Sequence, residues 1–137
     1  MRSLEEIVYP YLPEGQRFYY VPLTNHRMLY ARWWAQQHSS HTEMPGAAIV
    51  VLKGRILGAA ANDPSRHSEA KAIKAALRKR WYITGADLYL WGDWWSCPSC
   101  WRKMTKAGIA RVFLLERSHI LFNKEHPENV IGRQFDL

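Results

Sequence analysis

The sequence predicts an α/β domain, three layers deep (α/β/α), around a mixed sheet of about five strands. Three observations predict it. Extended apolar runs alternate with helical patterns along most of the 137 residues. Two of those runs, Ala86–Trp91 and Ile109–Leu115, are continuous enough for strands buried on both faces. Apolar residues make up 47% of the chain, enough for one packed core and more than a disordered chain carries.

The elements follow in order. Pro10, Pro13, Gly15 and Pro22 break the first 24 residues. They leave room for a short strand at Arg17–Val21, where Phe18, Tyr19 and Tyr20 favour extended structure. Thr24 or Asn25 caps a helix running to Gln37, with Met28, Ala31, Trp34 and Ala35 facing inward. Pro45-Gly46 turns the chain into a strand at Ala47–Leu52. Ile56–Ala61 is its hairpin partner across Lys53-Gly54, where glycine tolerates positive φ. Asn62-Asp63-Pro64-Ser65 is a turn cluster. His67 to Arg80 is helical, with Ala70, Ile73 and Leu77 as its apolar stripe. After Ala86–Trp91, a helix at Trp101–Ala107 ends at Gly108 and leads to Ile109–Leu115. Strand, helix, strand makes a parallel, right-handed crossover. The expected organisation is an N-terminal extension at 1–24, a core domain at 25–116 and a C-terminal tail at 117–137 packing on it.

Lys and Arg number 19 and Asp and Glu 12, a net charge of +7. Between Pro64 and Arg111 lie ten bases and three acids, while the rest of the chain is balanced, so the whole excess sits in one central segment. That charge suits an anionic partner. Two cysteines cannot form a disulfide framework. The apolar runs are too short to span a membrane. Met1 to Tyr9 carries Glu5 and Glu6 and has no signal-peptide core. A soluble, cytoplasmic protein with no membrane partner is expected.

Chemistry concentrates in two short motifs. His67-Ser68-Glu69 opens one helix, and Cys97-Pro98-Ser99-Cys100 opens the next. One His and two Cys supply three nitrogen or sulfur ligands, the number a catalytic zinc site with one open position uses. A CxxC at a helix start brings both sulfurs to one end, where the helix dipole favours thiolate. A structural zinc or a thioredoxin-like redox pair are the other readings. Against the redox pair, only 37 residues follow Cys100, too few for the rest of that fold.

Together the motifs resemble the HxE…PCxxC signature of zinc nucleobase deaminases. Glu69 and Cys97 are 28 positions apart. Ser96 stands where the signature has proline, and Pro98 inside the pair stiffens the turn instead. From Asn25 to Glu116 the sequence is similar to the cytidine/deoxycytidylate deaminase superfamily, of the CMP/dCMP type. That resemblance implies a cytidine-deaminase-like fold and one catalytic Zn²⁺, held by His67, Cys97 and Cys100. It implies Glu69 as general acid/base, Asn62 as a contact to base or sugar, and the Ser68 backbone amide as a contact to the pyrimidine carbonyl. Arg66, beside His67, either meets a substrate phosphate or is an exposed loop residue. Either Trp94 or Trp95 stacks on the base, or both simply pack.

Lys71, Lys74 and Arg78 form a solvated helix face, or else a polynucleotide or subunit contact. Trp33 and Trp34 read as core or interface. His26, His38, His41, His119 and His126 have no ligand-like spacing. The expected activity is hydrolysis of a cytosine nucleotide, dCMP- or CMP-like, to the uracil form with release of ammonia. A cytosine deaminase acting on single-stranded DNA or RNA is the second reading, and a non-catalytic module with structural zinc the third. Relatives commonly self-associate, which leaves a homo-oligomer open.

Overall fold

The computed structural model describes residues 6–9 and 12–137. The Pro10 breaker and the first part of the Met1 to Tyr9 reading lie outside the described residues. The elements run β1 (Glu6–Ile7), β2 (Phe18–Val21), α1 (His26–His38), β3 (Ala47–Leu52), β4 (Arg55–Ala61), α2 (Ser68–Lys79), β5 (Asp87–Trp91), α3 (Pro98–Ala107), β6 (Arg111–Leu115) and α4 (Ser118–Leu121), with a closing 3-10 turn at Gln134–Asp136.

The six strands form one sheet in the order β1-β2-β6-β5-β3-β4. β5 and β6 are parallel, as the crossover predicts, and β2 is parallel to β6. β3 runs antiparallel to both β4 and β5. The sheet has one strand more than expected. β1 spans two residues and pairs antiparallel with β2, Glu6 opposite Tyr19 and Ile7 opposite Phe18. Two residues are too few to carry a readable period.

Alternate strand residues feed two cores, one on each face of the sheet. Ala48, Val50, Leu88, Leu90, Val112 and Leu114 meet Ala72, Ile73 and Ala76 of α2 and Met104 of α3. Ala47, Ile49, Trp91, Phe113 and Leu115 meet Met28, Ala31 and Ala35 of α1 and the later Phe122. The three layers are therefore α2 and α3, the sheet, and α1 with the C-terminal residues. The 117–137 segment is tied to α1, where Arg32 donates to the Phe135 carbonyl (2.6 Å). Among the described residues no helix is long and apolar enough to cross a membrane.

Local chemistry explains most boundaries. Asn25 caps α1 by accepting from the Met28 amide at 3.0 Å. Lys53 and Gly54 both take positive φ in the hairpin turn, the pattern of a primed turn. Gly108 ends α3 in the left-handed region. The stripe expected on α2 is displaced. Ala72, Ile73 and Ala76 are buried, whereas Leu77 is 42% exposed. Gly58 of β4 lies against the backbone of Ala72 and Ala76, so close that a Cβ would collide with both. A helix seated that tightly presents alanines to the sheet and turns its leucine outward. Of the two places expected for Trp33, core or interface, the structure leaves out the core: it is exposed and stacks on Tyr30 at 5.8 Å.

Candidate active site

The site forms where α2 and α3 begin, on the same face of the sheet. His67 is the residue that enters α2, with extended backbone and no side-chain cap bond. Cys97 enters α3 in the same way, and its sulfur accepts from the Cys100 amide at 3.4 Å. Pro98 holds the first helical position, where its missing N–H costs nothing. Upstream, β5 ends at Trp91 and is followed by Gly92, whose φ is 96°. There the chain passes against the Pro45 carbonyl with no room for a Cβ. That bend carries residues 93–96 back toward α2.

The two helix starts bring three ligand-type atoms together. His67 Nδ1 lies 3.3 Å from Cys97 Sγ and 3.3 Å from Cys100 Sγ. All three atoms fall within 4.8 Å of one another. Cys100 is buried, and burial pushes its thiol pKa up, with the Glu69 carboxylate adding to the rise. A divalent cation at the triad would reverse that cost, since a coordinated thiol deprotonates outright. Nitrogen and two sulfurs, with one side open, suit zinc better than the oxygen-preferring ions. The donor set fits the group that the sequence implies.

Glu69 sits in the first turn of α2 and is only 2% exposed. Its Oε2 accepts from the Ser96 hydroxyl at 2.9 Å. Its Oε1 is buried with no hydrogen-bond partner among the described residues. Ser96 is held in turn by Gln16, which accepts from the Ser96 amide at 3.0 Å and donates to its carbonyl. Sequence reading missed both roles. Ser96 drew notice only as a departure from the signature, and Gln16 lies 80 positions away from it.

A cleft of about 230 Å³ opens on this group, lined by Asn62, His67, Glu69, Asp93, Trp95 and Cys97 together with His41, Met44, Asp63 and Pro64. Asp93 was not singled out in the sequence, and His41 was noted there only as a histidine without ligand-like spacing. Burial, and then the Glu69 charge, raises the Asp93 carboxyl above its ordinary range. His41 accepts the Met44 amide at Nδ1 (3.0 Å), which leaves the Nε2 side of the ring for other contacts.

The remaining candidates divide. Asn62 lines the cleft, but its side chain is largely engaged. Oδ1 accepts from the Gly46 amide at 2.8 Å and the Ser39 hydroxyl at 2.5 Å, and Nδ2 donates to the Met44 carbonyl at 2.8 Å. It ties the 39–46 loop to the end of β4 and keeps one N–H for a ligand. Ser68 is buried at the start of α2, where no side chain caps the helix. Trp95 is 37% exposed in the cleft wall, while Trp94 packs against both cores.

Arg66 is exposed and does not line that cleft. It borders a neighbouring one of about 360 Å³ that shares His67 and Cys97 with the first and is also lined by Lys71, Lys74, Lys103 and Cys100. Lys71 is partly withdrawn from solvent. It donates to the Ala61 carbonyl at 2.6 Å and pairs with Asp63 at 3.4 Å.

Three comparisons set this geometry beside known proteins. A family model described as MafB19-like deaminase matches residues 24–122. Among solved structures, a dCMP deaminase from the cyanophage S-TIM5 superposes with a TM-score of 0.53 at 21% identity, over 71% of this chain and 86% of that one. A diaminohydroxyphosphoribosylaminopyrimidine deaminase/5-amino-6-(5-phosphoribosylamino)uracil reductase from Thermotoga maritima gives 0.55 at 24% identity, over 64% of this chain and 27% of that one. A guanine deaminase from Bacillus subtilis gives 0.50 at 21%, over 66% and 64%. At such identities the likeness is one of fold. No curated protein matches the sequence.

Proposed function

The chain belongs to the MafB19-like deaminase family, and from that premise we propose that it uses one zinc ion to convert the cytosine of a dCMP- or CMP-like nucleotide to uracil, releasing ammonia. Its fold is cytidine-deaminase-like, and the protein is an enzyme, a hydrolytic deaminase. The observation that carries the zinc reading is the convergence of His67 Nδ1, Cys97 Sγ and Cys100 Sγ beside a buried Glu69.

In this reading those three residues hold the ion and leave one position open. Zinc, when bound, supplies Lewis-acid chemistry that brings the pKa of a water toward neutrality. Glu69 takes a proton from the attacking water and delivers it to the ring nitrogen beside C4. It then takes the proton of the new C4 hydroxyl and passes it to the amino group, which leaves as ammonia while C4 becomes a carbonyl, so the same carboxyl serves as base and as acid. Oε1 is the oxygen left for this work, because Oε2 is engaged by Ser96. Asn62 uses its remaining N–H on base or sugar, and the uncapped amides at the start of α2, Ser68 first, receive the pyrimidine carbonyl. Trp95 offers its face to the base. Arg66 meets a phosphate at the rim.

A second reading, cytosine within single-stranded DNA or RNA, draws on one observation. The cleft beside the triad is bordered by Arg66, Lys71, Lys74 and Lys103, and no acid among the described residues lines it. Ammonia release from dCMP, CMP, deoxycytidine, dCTP and a cytosine-bearing oligonucleotide, on protein of measured zinc content, tests both. Turnover of the mononucleotides supports the first reading. Turnover of the oligonucleotide alone, with affinity falling steeply as salt rises, supports the second. No turnover of any of them with zinc bound overturns the cytosine assignment.

A further inference from the structure

We propose that Ser96 and Gln16 form a positioning pair that fixes the Glu69 carboxylate for proton transfer, so that one residue ahead of the family-matched segment, Gln16, helps complete the active site. The inference rests on the acid/base reading of Glu69 and extends it to Ser96, where the sequence departs from the signature, and to Gln16, which lies outside it.

The three side chains make one buried chain of hydrogen bonds. Gln16 and Glu69 are each 2% exposed and Ser96 is 1% exposed. The Gln16 carboxamide grips the peptide at Ser96 from both sides, accepting from its N–H and donating to its carbonyl. The Ser96 hydroxyl then donates to Glu69 Oε2 at 2.9 Å. A carboxylate buried without a donor is costly, and it can rotate about its last torsion to find one. Here the donor engages one oxygen and leaves Oε1 in a set direction.

Proline at position 96 would supply neither donor. It has no hydroxyl for Glu69 and no N–H for Gln16. Serine at this one place therefore creates both bonds, and each is meaningful only with the other. The Gln16 clamp holds the peptide from which the hydroxyl reaches. Gln16 itself lies eight residues ahead of the matched segment, which begins at residue 24. It reaches the site because β2, just after it, pairs with β6 in the same sheet.

The test is steady-state ammonia release from dCMP by the full chain, with zinc content measured on every variant. Ser96→Ala should lower kcat about tenfold or more, the worth of one hydrogen bond to a charged group, with KM within about twofold and zinc unchanged. Ser96→Thr, which keeps the hydroxyl, should restore most of kcat. Ser96→Pro, which installs the signature residue, should fall at least as far as Ser96→Ala. Gln16→Glu keeps the acceptor and loses the donor. It should lower kcat severalfold alone and add almost nothing in the Ser96→Ala background, because the two residues act as a unit.

Wild-type kcat in Ser96→Ala would overturn the inference. So would strictly additive losses, or a loss of kcat that only tracks loss of zinc. An inactive wild type on every cytosine substrate would overturn the parent reading and this inference together. Active wild type with indifferent variants would overturn the inference alone.

Discussion

The site has a buried inner half and a more exposed outer half. In the inner half Glu69, Ser96 and Gln16 are buried and joined by hydrogen bonds that cross from α2 to the loop before α3 to the segment before β2. In the outer half Arg66 and Trp95 are exposed, and Asn62 and Asp93, which share the cleft with Glu69, are only partly covered. The inner half is assembled from three parts of the chain and has little freedom to adjust. The outer half depends on loops and can accept a ligand without rearranging the core. Groups that move protons need fixed geometry, and groups that choose a ligand need access. Inner substitutions should therefore act on kcat, and outer ones on KM.

The sharpest break removes the divide itself. Cys100→Ser takes away the buried ligand, and zinc content and ammonia release should fall together, the latter by ~100-fold or more. Metal analysis beside turnover reads this directly, and full activity at zero zinc would dissolve the distinction between the halves. Next in size, Trp95→Ala should raise KM about tenfold with kcat within about twofold, the loss of one stacking face. Its neighbour gives the contrast. Trp94 packs against both cores, so Trp94→Ala should cost about 2–3 kcal/mol of stability, seen in a denaturant titration, and leave KM alone.

Smaller still, Arg66→Ala should raise KM for dCMP about threefold and leave deoxycytidine unchanged, since only the former carries a phosphate. The smallest effect belongs to the turn behind Arg66. The Ser65 amide and hydroxyl, with the Arg66 amide, hold Asp63 at a pKa of about 2, below its usual 3.8. A folded-state pKa below the unfolded one stabilises above the unfolded value and loses that contribution as pH falls through the folded one. Acid unfolding should thus steepen slightly between pH 4 and about 2. Asp63→Asn should flatten that window in an acid-unfolding titration.

The two halves also differ in how much of them was legible in the sequence. His67 with Glu69, and Cys97 with Cys100, are each short motifs beside a helix start, and the resemblance to the deaminase signature joins the two across 28 positions. Strands β3, β5 and β6 were legible as continuous apolar runs, whereas the two-residue β1 was not. The Ser96 bond to Glu69 was not, because its meaning depends on Gln16, 80 positions earlier, and on a parallel pairing of β2 with β6. The buried face of α2 was misread because leucine outweighs alanine in any hydrophobic pattern. Gly58, on a neighbouring strand, decides that alanine faces inward. Lys71 looked like one member of a solvated stripe, yet it ties α2 to the end of β4 through the Ala61 carbonyl. In each case a partner distant in sequence settles the matter, and one-dimensional periodicity carries no trace of it.

The most direct measurement compares wild type with Glu69→Gln on dCMP at equal, measured zinc occupancy, following ammonia and dUMP together. Wild type should release one ammonia per dUMP. Glu69→Gln should keep its zinc and lose about 10²–10⁴-fold in kcat, the usual worth of a general acid/base. A Glu69→Gln variant that turns over dCMP at the wild-type rate, with zinc bound, would contradict the account.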